Sequence, residues 1–224
     1  MPRRKVVFAI NQYYHVFNRS INKEPVYTKQ KECNRAMETL NYYRFKNPPI
    51  RLAYFLALGP GKRNEIMMSL KKKAMYMVSI ISFVLMPNHF HFLLKQNVEN
   101  GISLFLAQFQ NSYTRYFNTK NRRQGHLLQG QFKAVRIEDD DQLLHVHRYI
   151  HLNPYVSYVV KDIKELEEYK YSSFPEYLNR EKNEICDKPI ILSHFPTIKQ
   201  YKKIITDQAD YQRELGQIKH LVME

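Results

Sequence analysis

Tryptophan is absent from this sequence, and cysteine occurs twice, at Cys33 and Cys186. Two thiols so far apart form neither a CxxC pair nor a disulfide framework, which points to a reducing, intracellular setting. Glycine is scarce, at six residues, and no glycine-rich loop follows a predicted strand. That disfavours a P-loop or dinucleotide-binding domain. No apolar run approaches the ~18 residues of a membrane span, so no membrane association is expected. The start, Met1 to Lys5, is basic, but the apolar run after it ends at Ile10 and is too short for a signal core. Internal repeats and Gly/Ser/Pro-rich linkers are also missing.

Acid is the other shortage. Lys and Arg number 35 against 21 Asp and Glu, giving a formal charge of +14. Between Glu65 and Glu138 the only acidic residue is Glu99. The same interval holds Lys71, Lys72, Lys73, Lys95, Arg115, Lys120, Arg122, Arg123, Lys133 and Arg136. A solvated surface normally mixes signs, so such an interval suits a polyanion. Chance clustering in a lysine-rich chain is the blander reading. Acids return together at Glu138 to Asp141. They read better as a helix start, with Asp139 or Asp140 as N-cap, than as a metal cluster.

Hydrophobic periodicity predicts strands over 12–20, 76–85, 89–95 and 132–137, and helices over 29–43, 64–73, 101–118 and 140–153. Residues 50–58 fit a short helix or a strand. Gly59-Pro60-Gly61 reads as a break, Met86-Pro87-Asn88 as a tight connection, and Pro154 as the stop of the last of these helices. The tail is expected to be helical in pieces, including 197–221. Hairpins outnumber βαβ units, so the fold class is α+β, an antiparallel sheet with helices on its faces.

Two short motifs carry chemistry. In His89-Phe90-His91, residues two apart on a strand share a face, so both imidazoles project together. They form half of an open metal site, or are two satisfied polar groups in a sheet. The helix over 140–153 ends Arg148-Tyr149-Ile150-His151-Leu152-Asn153, with Leu143, Val146 and Ile150 as its expected core face. Tyr149 and Asn153 are i and i+4 and share a face, which His145 extends. They read as ordinary packing and capping, or as a nucleophile beside an amide ligand. Together the motifs make more sense: a tyrosine can attack a phosphodiester. A divalent ion on His89, His91 and Asn153 would polarise the phosphate.

These residues resemble a known family, the REP-associated tyrosine transposases among the single-tyrosine HUH endonucleases. The matching segments are YHVFNRS (14–20), LMPNHFHFLL (85–94), NSYTRYFNTKN (111–121), GHLLQGQFKAV (125–135) and RYIHLNPY (148–155). The resemblance implies a ferredoxin-like HUH domain over 1–160, with an insertion at about 44–73, and a mainly helical extension over 161–224. It implies His89 and His91 as the metal pair, Asn153 as the completing ligand, and Mg²⁺ or Mn²⁺ as the metal. Tyr149 would be the nucleophile, forming a 5′-phosphotyrosine and freeing a 3′-OH. The substrate would be hairpin-forming, palindromic single-stranded DNA. Lys71, Lys72, Lys73, Arg115, Arg122, Arg123, Lys133, Arg136 and Arg148 would contact it. A monomer is expected over a homodimer, in the cytoplasm and associated with the nucleoid through DNA. Two other classes remain open: a non-catalytic DNA- or RNA-binding derivative, and a small metallohydrolase using the histidines and a water.

Overall fold

The computed structural model describes residues 6–181, 185–207 and 209–214. The basic start at 1–5 and the end of the expected tail helix, 215–221, lie outside them. The elements run β1 (Tyr13–Arg19), α1 (Gln30–Tyr43), α2 (Leu52–Ala57), α3 (Pro60–Lys73), β2 (Val78–Met86), β3 (His89–Gln96), α4 (Gly101–Lys120), β4 (Lys133–Arg136) and α5 (Asp140–Val156). Shorter helices follow among the described residues, including α6 (Ile163–Glu167), α7 (Phe174–Tyr177), α8 (Pro189–Leu192) and α9 (Ile198–Thr206).

The strands form one sheet in the order β2-β3-β1-β4, with every neighbouring pair antiparallel. This order, with α1 and α4 as the two crossovers, is the ferredoxin-like arrangement. Sequence and structure therefore agree on an α+β fold.

Both faces of the sheet are covered, and strand alternation decides which residues go where. Tyr14, Val16, Phe90, Phe92 and Leu94 enter the first core, under α1 and α4. Helix α4 contributes Ile102, Phe105, Leu106, Phe109 and Tyr113, the stripe expected from its helical spacing. Ile81, Val84, Met86 and Leu93 enter the second core, under α5 and the C-terminal helices. On β2 the alternation breaks between Ile80 and Ser82, where an extra residue shifts the register. Ile80 and Phe83 consequently share the first face although two residues lie between them, a spacing that strict alternation would send to opposite faces. Without that bulge, either Ile80 or Phe83 would be carried into the wrong core.

Two expectations need correction. Pro154 does not stop α5; it lies inside the helix, which continues to Val156. Proline removes one amide donor and crowds the carbonyl four residues back. In a last turn that loss is small, and Ser157 still donates its amide to the Asn153 carbonyl at 2.9 Å. Gly59-Pro60-Gly61 is likewise no pure break, because Pro60 is the first residue of α3, where its missing N–H costs nothing. At the start of α5 the capping reading holds. Asp139 accepts a hydrogen bond from the Gln142 amide at 2.7 Å, and Asp140 and Asp141 occupy the first turn.

Helices α2 and α3 form a satellite around Tyr42, Phe45, Leu52, Phe55 and Leu70. The chain beyond residue 160 shares the second core with α5 through Leu166, Phe174, Tyr177, Ile191, Tyr201 and Ile205. It also hydrogen-bonds β2: the amides of Leu85 and Ser173 reach the carbonyls of Tyr171 and Phe83 at 2.8 and 2.9 Å. No helix among the described residues is long and apolar enough to cross a membrane.

Because this extension completes the second core, Phe174→Ala should destabilise the whole chain by about 3–5 kcal/mol, the usual cost of a buried Phe truncation. Urea unfolding with one cooperative transition at a lower midpoint is the expected result. An unshifted midpoint would make the extension a dispensable appendage.

Candidate functional site

The period of two on β3 sends His89 and His91 to the face covered by α5, while Phe90 and Phe92 anchor the strand from behind. The hairpin tip before His89 is tied down. The Pro87 carbonyl accepts from the amides of Val26 and Tyr27 at 2.8 and 2.9 Å, and the Asn88 carbonyl from Ser20 at 2.8 Å. The two rings lie 5.1 Å apart, centroid to centroid, nearly perpendicular.

Helix α5 crosses this face and brings Tyr149 to the same place. Its ring meets the His91 ring edge-on at 5.3 Å, 88° between planes. Asn153, one turn on, is 5% exposed, and His91 is 6% exposed. The sequence expectation put Val146 on the buried stripe of α5. Instead His147 and His151 are fully buried, and Val146 is half-buried. The cause is the C-terminal extension, which covers a side of α5 that the sheet does not. The Tyr201 hydroxyl bridges His147 Nε2 and His151 Nδ1 at 2.9 Å each, and His151 Nε2 lies 2.7 Å from Ser173 Oγ. This buried polar chain fixes the rotation of α5 and hence the direction of Tyr149.

His89, His91, Tyr149 and Asn153 line one open cleft of about 1130 Å³. Its charged lining is Arg19, Lys23 and Lys133, with no carboxylate among the described residues. Lys133 pairs across the sheet with Phe17, which pairs with His91, so the three lie in one row. Of the cations expected to hold a strand, Lys133 lines the cleft. Lys71, Lys72 and Lys73 close α3 before β2 enters at Val78. The histidines sit beside Met86 at the other end of that strand, roughly 25 Å of extended chain away. Arg115 is exposed on α4, on the opposite face of the sheet. Arg123 pairs with Glu24 at 3.6 Å and lines a separate small pocket with Arg122. Arg136 bonds Gln12 and lies 3.8 Å from Glu138, and Arg148 is half-buried outside the cleft.

The sequence reading missed Arg19, Lys23 and His15. The signal for two of them was available, since His15, Phe17 and Arg19 alternate along one strand face. What it lacked was the pairing of that face with the histidine strand.

Burial sets the protonation states. It holds His15 and His89 down at about 4, with Arg19 adding to the effect on His89. His91 is lowered further, first by burial and then by His15, His89 and Arg19. All three imidazoles are neutral at neutral pH, the state that coordinates metal. Tyr149 is 43% exposed, yet the cleft walls still raise its hydroxyl pKa by desolvation. A hydrogen bond with Asn153 and the charge of Arg19 oppose that rise.

A metal site with three or more His, Cys, Asp or Glu is not found among the described residues. Two imidazoles and the Asn153 amide are the donors that fit a divalent ion. His89 Nδ1 is engaged by Asn88 Oδ1 at 2.6 Å and His91 Nδ1 by His15 Nε2 at 2.9 Å. Both rings are thereby held by their δ nitrogens and offer Nε2, as metal-ligating histidines commonly do.

Residues 62–153 match the family model described as transposase, IS200-like. The resemblance read from the sequence holds. The matched segment contains His89, His91, Tyr149 and Asn153. A solved REP-associated tyrosine transposase bound to a REP hairpin shares the fold, with a TM-score of 0.56 at 13% identity. The match covers 83% of this chain and 90% of that one. No curated protein matches by sequence.

Lowered histidine pKa values carry a linkage consequence. The unfolded chain takes up protons near pH 6.5, whereas folded His15 and His89 do so only near 4 and His147 near 3. Their contribution to stability is therefore complete above pH 6.5 and is lost as the pH falls toward 4. Urea midpoints should fall steadily from pH 7 to pH 4.5; a flat profile would mean these histidines are not held neutral.

Proposed function

We propose that this protein is a metal-dependent single-stranded DNA transposase that nicks and rejoins hairpin-associated strands through Tyr149. The observation that carries the reading is the convergence of Tyr149 with His89, His91 and Asn153 at one cleft lined by cations and, among the described residues, by no carboxylate. The IS200-like match and the shared fold with a hairpin-bound transposase support it.

In this reading the strand lies in the cleft with backbone phosphates against Arg19, Lys23 and Lys133. The Tyr149 Oη attacks the scissile phosphorus. A P–O bond to tyrosine forms as the bond to the 3′ oxygen breaks; the phenol loses its proton and the leaving 3′ oxygen gains one. The products are a 5′-phosphotyrosine and a free 3′-OH. A second 3′-OH attacking the phosphotyrosine restores Tyr149 and completes transfer.

His89, His91 and Asn153 would hold Mg²⁺ or Mn²⁺, which would supply charge stabilisation at the phosphate. The imidazole nitrogens fit Mn²⁺ better than Mg²⁺, which prefers an all-oxygen shell. With no carboxylate among the described residues that line the cleft, the anionic charge around such an ion would come from the phosphate. All four site residues come from one chain, which supports action as a monomer. Such an enzyme would work at the nucleoid.

A labelled library of hairpin-bearing single strands, incubated with the folded protein and Mn²⁺, tests this. A covalent adduct resistant to denaturation is expected, absent in Tyr149→Phe and at least about 100-fold weaker in His91→Ala, on the scale of a lost catalytic charge stabiliser. No adduct with any strand, while binding persists, would instead make the protein a non-catalytic derivative. Binding should also respond to salt. Lys133→Ala should reduce the slope of log affinity against log salt by about 0.7, one single-strand phosphate contact. An unchanged slope would remove Lys133 from the DNA path.

A further inference from the structure

His15 sits on β1, on the sheet face of His91 and Tyr149, and belongs to neither motif that carried the functional reading. Its Nε2 lies 2.9 Å from His91 Nδ1, and the two rings are nearly parallel at 5.1 Å. The Tyr149 ring stands edge-on to both, 6.0 Å from His15 and 5.3 Å from His91.

The bond joins two neutral imidazoles, so one nitrogen carries the shared proton and the other accepts it. The neighbouring histidine shows which assignment suits the site. Asn88 Nδ2 donates to the Lys23 carbonyl at 3.1 Å, which turns its Oδ1 toward His89 Nδ1 at 2.6 Å. An amide oxygen only accepts, so His89 carries its proton on Nδ1 and keeps the Nε2 lone pair. Two ligands serving one ion need the same arrangement. For His91 that means Nδ1–H donating to a bare His15 Nε2, with the His15 proton on its own Nδ1.

We infer that His15 is a positioning residue: by accepting the His91 Nδ1 proton it fixes the tautomer and ring plane in which His91 Nε2 can bind the divalent ion. This rests on the metal reading of His89 and His91 above. His15 touches neither ion nor strand in this role; it acts through His91, as carboxylates and carbonyls do behind other metal-bound histidines.

Two variants of the full chain separate this role from simple packing. His15→Phe keeps a ring against His91 and Tyr149 but removes the acceptor. His15→Gln keeps an amide oxygen near the Nε2 position. The first readout is imidazole ¹⁵N–¹H NMR of the metal-free protein. His91 should be the Nδ1–H tautomer in wild type and His15→Gln, and a mixture in His15→Phe. The second is titration with Co²⁺, which imidazole nitrogen binds more tightly than Mn²⁺, followed by its d–d absorption. Affinity should weaken about 10–100-fold in His15→Phe and return to within about three-fold of wild type in His15→Gln. His91 protonated on Nε2 in the wild type would overturn the proposal. So would equal Co²⁺ affinity and an unchanged tautomer in a folded His15→Phe. If His91→Ala binds Co²⁺ as wild type does, the metal reading itself falls and takes this role with it; the NMR result still shows whether the His15–His91 bond exists.

Discussion

Successive side chains of β3 leave the sheet on opposite faces, so Phe90 and Phe92 enter one core while His89 and His91 face the cleft on the other side. Everything else in the molecule accommodates that alternation. The phenylalanine face needs α1 and α4 over it. The histidine face needs cover as well, because Ile81, Val84, Met86 and Leu93 share it. Helix α5 supplies that cover over the apolar part and leaves the histidine end open as a cleft. An open cleft between a rigid strand and a rigid helix suits positional catalysis, where small misplacements of reacting groups are costly.

The rigidity has two sources. The hairpin tip beside His89 is tied by carbonyls of Pro87 and Asn88 to the loop after β1. Helix α5 is clamped from behind by the chain of His147, Tyr201, His151 and Ser173, closed where the Phe83 amide donates to Ser173 Oγ at 3.0 Å. A buried polar chain of this kind costs desolvation, and its return is a single preferred orientation. The C-terminal extension therefore bears on the site by setting the rotation of α5. Its position in sequence, after the last recognisable motif, hides that role.

Charge is distributed with the same economy. Most of the excess of +14 lies in the basic interval between Glu65 and Glu138, and much of that interval faces away from the cleft. Lys71, Lys72 and Lys73 lie at the far end of the sheet, and Arg115 on its other face. At the cleft the cations are Arg19, Lys23 and Lys133, and no carboxylate among the described residues opposes them. The absence of acid at this one place matters more to a bound phosphate than the total excess, since short separations and weak screening dominate the local field.

The sequence by itself determined the elements and the motif chemistry. Alternation on β3 placed both histidines on one face, and the i, i+4 spacing placed Tyr149 with Asn153; both are local periodicities that need no tertiary knowledge. The stripe of α4 and the capping acids of α5 were legible for the same reason. The passage of α5 through Pro154 was not, since a proline in a last turn differs from a stop only by what packs around it. Which cations meet the cleft, the burial of His147 and His151, and the partnership of His15 with His91 were decided by the tertiary structure alone. Each depends on strand order or on the extension folding back over α5, and long-range pairing leaves no periodic trace in the residues that take part.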